Sequence, residues 1–211
     1  PCRFDMPHAA KVVGPAEAAM DQAGEERRDL GAPVVEYLPW WSRGDPRKAD
    51  VTVRQLLLHR TGLIPFRTWY HEIEGMDAYR DAAADEPLQN PPGQETAYSD
   101  IGIMTLAWVI EEIAGQPLDD FLQDRLWDEL GMLETRYNPP STLRPRIAAT
   151  EIDTIYRNEM VWGTEHDENA GARPQRLGDG RRRRPRRPFQ YRRRPLGLRP
   201  DDAQRRGGSG V

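Results

Sequence analysis

The chain has 211 residues and a net charge of −4, a length that suits one medium domain or a domain with a tail. No apolar run approaches 18 residues, so the sequence offers no helical membrane span. The single cysteine, Cys2, excludes an internal disulfide framework and any multi-cysteine metal site. The net charge averages two unlike parts: residues 1–170 hold 16 Lys and Arg against 31 Asp and Glu, and residues 171–211 hold 14 Arg against 3 Asp. The front carries no charged, apolar, small-residue leader pattern. Its first residue is proline; a mature protein and a fragment both begin this way, and the sequence does not assign a compartment.

In the acidic part, alanines and Met20 favour a helix over 9–23, interrupted at Pro15. Residues 33–38 read as a short extended piece closed by Pro39. Thr52 is a good N-cap for a helix through Val53, Leu56, Leu57 and Leu58, with Gly62 placed to end it. Residues 77–84 suit a further helix, and Pro87, Pro91, Pro92 and Gly93 then impose a loop. Over 100–114, Ile103, Leu106, Ala107, Ile110 and Ile113 fall on one stripe that Gly115 closes. Pro117 opens the next helix at a first-turn position. Its inward stripe reads Leu118, Phe121, Leu122, Leu126 and Leu130, and Gly131 ends it. These last two helices predict a helical hairpin with an apolar seam. Strand signals are sparse beyond 33–38: 133–137 and 147–156 are the candidates, too little for a substantial sheet.

Residues 171–211 form a different kind of chain. Arg, Pro, Gly and Ala supply 28 of these 41 residues, and only five are Leu, Val or Phe. So few apolar side chains do not offset the entropy of ordering, which predicts a disordered tail. Those four amino acids are the ones with codons beginning in two G or C bases, so out-of-frame reading of a GC-rich gene is the leading reading, ahead of a disordered natural tail and then of a selected nucleic-acid arm. Whatever its origin, such a run predicts nonspecific, salt-dependent binding to nucleic-acid phosphates.

Three ordered stretches of the acidic part carry a resemblance. Asp50-Val-Thr-Val-Arg-Gln-Leu-Leu-Leu-His-Arg-Thr-Gly-Leu63 is similar to a T-x-R-x-L-L-x-H-x-[ST]-G-L segment. Pro92-Gly93, then Tyr98-Ser99-Asp100-Ile-Gly102, Leu106, Ile110-Glu111, Gly115 and Leu130-Gly131-Met132 follow a P-G, Y-S-[ND]-x-G, L, I-x-E, G, L-G-M order. Leu30 to Pro39 is similar to L-D-x-P-V-x-x-Y-L-P. The chain thereby resembles the serine β-lactamase and penicillin-binding-protein superfamily, in its class C-like and esterase-like branch. The motifs span about residues 4–140; 162–170 also look like a family loop, and after Ala170 the resemblance stops. Residues 1–170 are thus expected to be a partial, partly degenerate domain of that family. The family fold is α+β, an antiparallel sheet flanked by helices plus a helical lobe. The expectation for this chain is a mostly α fragment: helical lobe retained, most of the antiparallel sheet missing, and an apolar face left where a sheet should pack.

The chemistry implied by the resemblance is acyl-enzyme hydrolysis of an ester, amide or peptidoglycan-like small molecule, with no cofactor. A serine and a lysine one turn apart on a helix supply the nucleophile and its base, a tyrosine hydroxyl passes the proton to the leaving group, and backbone N–H groups hold the oxyanion. Matching Phe4-Asp5-Met6 and Lys11-Val12-Val13 to the family's F-x-x-A-S-x-T-K places Lys11 on the motif lysine and His8 on the serine. An imidazole there does not form a stable acyl ester, so the chain is expected to be impaired. Ser99 and Ser141 lack a lysine three residues on. Tyr98 matches the motif tyrosine. Asp100 takes the substrate-facing position; once ionised it only accepts hydrogen bonds, and it is expected to pair with Lys11. The third family motif is absent. His59 sits at a helix end with an expected structural role. The histidines show no zinc-ligand spacing. The sequence also leaves open a non-catalytic remnant of the same lineage, and a nucleic-acid-binding protein acting through the basic tail.

Overall fold

The computed structural model describes residues 29–137, 140–154 and 158–162. All of them belong to one compact unit, Pro1–Gly180; the second unit, Arg181–Val211, lies outside the described residues. The expected helix over 9–23, with His8 and Lys11 near its start, and the disordered tail also lie outside them.

Besides short 3-10 segments and one π-helical turn, the described elements are four α-helices and an antiparallel pair of strands: α1 (Val53–Leu57), α2 (Met76–Asp85), α3 (Asp100–Ala114), α4 (Leu118–Leu122), β1 (Ala149–Asp153) and β2 (Glu159–Trp162). Thr52 caps α1 through a reciprocal box: its hydroxyl accepts from the Gln55 N–H at 3.3 Å and its own N–H donates to Gln55 Oε1 at 2.9 Å. Helix α2 runs slightly beyond the expected 77–84. In α3 the expected stripe understates burial. Every residue from Ile101 to Ile110 except Met104 is buried, so α3 is the central helix, packed against both α1 and α4. Gly115 ends it in the left-handed region, at φ 67°. The helical hairpin of α3 and α4 is present, and Glu111 stitches its turn by accepting from the Leu118 N–H at 3.1 Å. Pro117 is the N-cap of α4, one position before the place expected for it.

Three expectations need correction. Residues 33–38 are not a strand. Pro33 makes a single bridge to Thr52, and the chain then turns through a 3-10 segment, Val34–Glu36. That turn lets Val34 and Leu38 both enter the core, at 0% and 4% exposure. A strand would have spread them along an edge. After α1 the first left-handed residue is His59, at φ 52°, three residues before Gly62. Past α4 the helix continues as one π-helical turn, Gln123–Trp127, whose widened ring delays the side-chain phase. Trp127 therefore takes the inward place, and Leu130, expected inward, is 64% exposed.

The only sheet among the described residues is the antiparallel β1–β2 pair. Residues 133–137 form no strand. β1 falls inside the expected 147–156, and its partner β2 was not foreseen. Ile152 faces Met160 across the pair, both exposed, while Val161 is buried.

The core is anchored by Trp41, fully buried, whose indole N–H donates to the Thr105 hydroxyl at 3.1 Å; that hydroxyl donates in turn to the Ile101 carbonyl at 2.8 Å. Trp40 packs edge-on against Trp108, with centroids 5.7 Å apart. The tryptophan pair thus serves the packing of the lobe. Thr105→Val keeps the volume but leaves the indole N–H without its acceptor. It should lower the unfolding free energy by about 1–2 kcal/mol in urea titration; an unchanged midpoint would show that the pair carries no stability.

Candidate functional site

The site grows from the entry into α3. Ser99 is the N-cap, in extended backbone. Its hydroxyl donates to the Ile64 carbonyl at 2.7 Å and accepts from the Gly102 N–H at 3.2 Å, and the residue is fully buried. Extended backbone alternates its side chains, so with Ser99 inward Tyr98 turns outward and is 46% exposed. Asp100 begins the helix, and the charge of its carboxylate acts on the Tyr98 phenol.

These contacts set the chemistry. Partial burial and then the Asp100 charge push the Tyr98 phenol up to about 12. It is therefore a neutral proton donor across the physiological range, not a base. Ser99 is excluded as a nucleophile: both the donor and acceptor functions of its buried hydroxyl are committed to the fold. Gly102, the glycine of the Tyr-Ser-Asp-x-Gly motif, has room for a methyl group; a Cβ there would meet Ser99 Cβ at 3.6 Å, an ordinary contact.

The His-Arg-Thr-Gly-Leu segment forms the floor. The Ala97 N–H donates to the His59 carbonyl at 2.9 Å and the Asp100 N–H to the Pro65 carbonyl at 2.9 Å, so backbone bonds bracket Tyr98 on both sides. The Gly93 N–H donates to the Arg60 carbonyl at 2.7 Å, and the Arg60 guanidinium donates back to the Gly93 carbonyl. Thr61, buried, accepts from the Leu63 N–H at 3.2 Å. Three motifs that are separate in sequence thus meet at the N-terminal end of α3.

Tyr98 and Asp100, both singled out in the sequence, lie at the entry into α3 on either side of its N-cap Ser99. Lys11 and His8 lie outside the described residues, so the expected pairing of Asp100 with Lys11 is not among the described contacts. What the sequence missed is His59. Its ring lies 4.7 Å from that of Tyr98, centroid to centroid, at a 45° tilt. Burial holds its pKa below the usual imidazole value, opposed by the Asp100 charge. The motif letter was visible, but the ring contact joins positions 39 apart in sequence. Among the described residues no cluster of three or more His, Cys, Asp or Glu could hold a metal, and no helix is long and apolar enough to cross a membrane.

Comparison with known proteins bears on this arrangement. The sequence matches the family described as "Beta-lactamase" over residues 10–200, a span that runs past Ala170 into the arginine-rich segment. A protein of Escherichia coli K12 named "Putative D-alanyl-D-alanine carboxypeptidase" is 30% identical over 190 residues, which cover 79% of this chain and 44% of that one. The chain therefore spans less than half the length of this relative. Among solved structures, FmtA from Staphylococcus aureus superposes with a TM-score of 0.61 at 20% identity, covering 70% of this chain and 41% of that one. A β-lactamase/D-alanine carboxypeptidase from Yersinia pestis does so with a TM-score of 0.58 at 18% identity, covering 75% and 49%.

Proposed function

Because the chain belongs to the β-lactamase family, we propose that its site is built for acyl-enzyme hydrolysis of an ester, an amide or a D-alanyl peptide of the peptidoglycan type, and that this chain is impaired because His8 stands at the nucleophile position. Tyr98 donates the proton that the leaving group needs. The Asp100 charge helps to keep the phenol protonated. Lys11 is the base of the motif, and His8 occupies the nucleophile position. An acyl group transferred to imidazole stays activated and is lost to water, so no lasting acyl-enzyme accumulates.

The observation that carries this reading is the placement of Tyr98: a half-exposed phenol held at the entry into α3 between the backbone bonds of Ala97 and Asp100.

The test is covalent labelling of the full chain with a fluorescent penicillin and a fluorophosphonate. The native sequence should take no lasting label. His8→Ser should take label at position 8, and adding Tyr98→Phe should slow that labelling by about 10²–10⁴-fold, the usual worth of a positioned general acid. Label on the native chain at any other residue would overturn the assignment. Absence of label on His8→Ser would do so too, and would leave the non-catalytic remnant as the reading.

A further inference from the structure

We propose that His59 is a positioning residue for Tyr98, a ring wedge that holds the phenol in place at the entry into α3; the catalytic part of this proposal rests on the reading of Tyr98 as the proton donor. Two features of position 59 converge on it.

The first is backbone conformation. His59 sits at φ 52°, a region that costs a residue with a Cβ roughly 1–2 kcal/mol. Such strain persists only where surrounding structure imposes it. Here the imposing contacts are the His59 N–H donating to the Leu56 carbonyl at 3.1 Å and the His59 carbonyl accepting from the Ala97 N–H at 2.9 Å. The second contact fixes the residue immediately before Tyr98. A glycine would make the same turn without strain, so the side chain is what the position retains.

The second feature is the ring contact, 4.7 Å between centroids, within the range in which two rings attract. Tyr98 is 46% exposed, and removing the imidazole takes away a ring neighbour of the phenol.

The test uses two variants that separate ring from backbone. His59→Asn tolerates the left-handed conformation but has no ring; His59→Phe keeps a ring. In full chain carrying ¹³Cζ-tyrosine, the Tyr98 resonance is identified by its loss in Tyr98→Phe. In His59→Asn it should move to the position of a solvent-exposed tyrosine, and in His59→Phe it should stay near its native position. A purely structural role would lower the thermal midpoint of His59→Asn and leave this resonance in place; an unmoved resonance in folded His59→Asn overturns the proposal. In the His8→Ser background, His59→Asn should lower the acylation rate about tenfold at unchanged binding of the penicillin, with recovery in His59→Phe. Equal acylation rates in His8→Ser with and without His59→Asn overturn the catalytic part. If His8→Ser takes no label at all, the hydrolase reading fails, and the resonance still decides whether His59 positions the phenol.

Discussion

Gly62→Ala should destabilise the chain by about 4 kcal/mol or more, enough to unfold a domain of ordinary stability. Two effects add at this position. Gly62 lies at φ +82°, where an added Cβ is strained by roughly 1–2 kcal/mol. The Cβ would also fall 2.1 Å from the Asn90 carbonyl oxygen and 3.0 Å from its carbon, both backbone atoms that no rotamer change can move aside. The strands of chain that would have to part are tied at the same point, since the Gln89 N–H donates to the Gly62 carbonyl at 2.8 Å. Relief therefore requires breaking the junction between the floor of the site and the loop carrying Gly93. Gly75→Ala is the natural control. Its φ is +84°, but nothing lies within 4 Å of the added methyl, so only the conformational part, roughly 1–3 kcal/mol, should appear. Urea unfolding of the two variants checks this. Equal losses would show that the clash at Asn90 is absorbed by small shifts.

The native chain should also gain stability as pH rises from 7 to 10, by about 2 kcal/mol, and Lys48→Met should not show this rise. Lys48 is fully buried beside Trp41, its ammonium 4.9 Å from the ring centroid and donating to the Ala83 and Ala84 carbonyls at 2.7 and 2.9 Å. Burial pushes its pKa down to about 8, against the opposing charges of Asp45, Glu86 and Asp85. The unfolded chain holds the same proton up to about 10.5. Below pH 8 both states carry it and the folded state bears the full desolvation penalty. Between 8 and 10.5 only the unfolded state binds the proton, so the unfolding free energy climbs. Tyr98 works in the opposite sense. Its raised pKa contributes stability that is present below pH 10 and lost as pH rises through 12, so the comparison should stop at pH 10. Urea titrations at pH 7, 8, 9 and 10 on the native chain and on Lys48→Met give the difference directly. Parallel pH dependences would show that the ammonium is solvated well enough at its two carbonyls to keep its ordinary value.

Much of the helical lobe was legible because its signals are local. Thr52 announces a helix start through its own hydroxyl, and Gly115 announces an end through its freedom at positive φ. The misreadings have a common cause. The Val-Val-Glu-Tyr-Leu run has strand-forming composition, yet a 3-10 turn buries two of its side chains at once. At position 59 a histidine takes the left-handed turn that composition assigned to Gly62, because the contact with Ala97 imposes it. At 123–127 nothing in the residues marks the wider ring. The site divides the same way: Tyr98 and Asp100 are adjacent in a recognisable motif, whereas the packing of His59 on Tyr98 exists only once the lobe has folded.

The π-helical turn has a consequence at the far end of the lobe. By spending one residue without advancing the rotation of the helix, it seats Trp127 at 7% exposure and sends the chain out of phase just before Gly131, at φ 68°. Leu130, Met132 and Leu133 then emerge together at 64%, 39% and 64% exposure. The greasy ridge on the exterior is the mirror image of the indole tucked inside: one inserted backbone unit produces both.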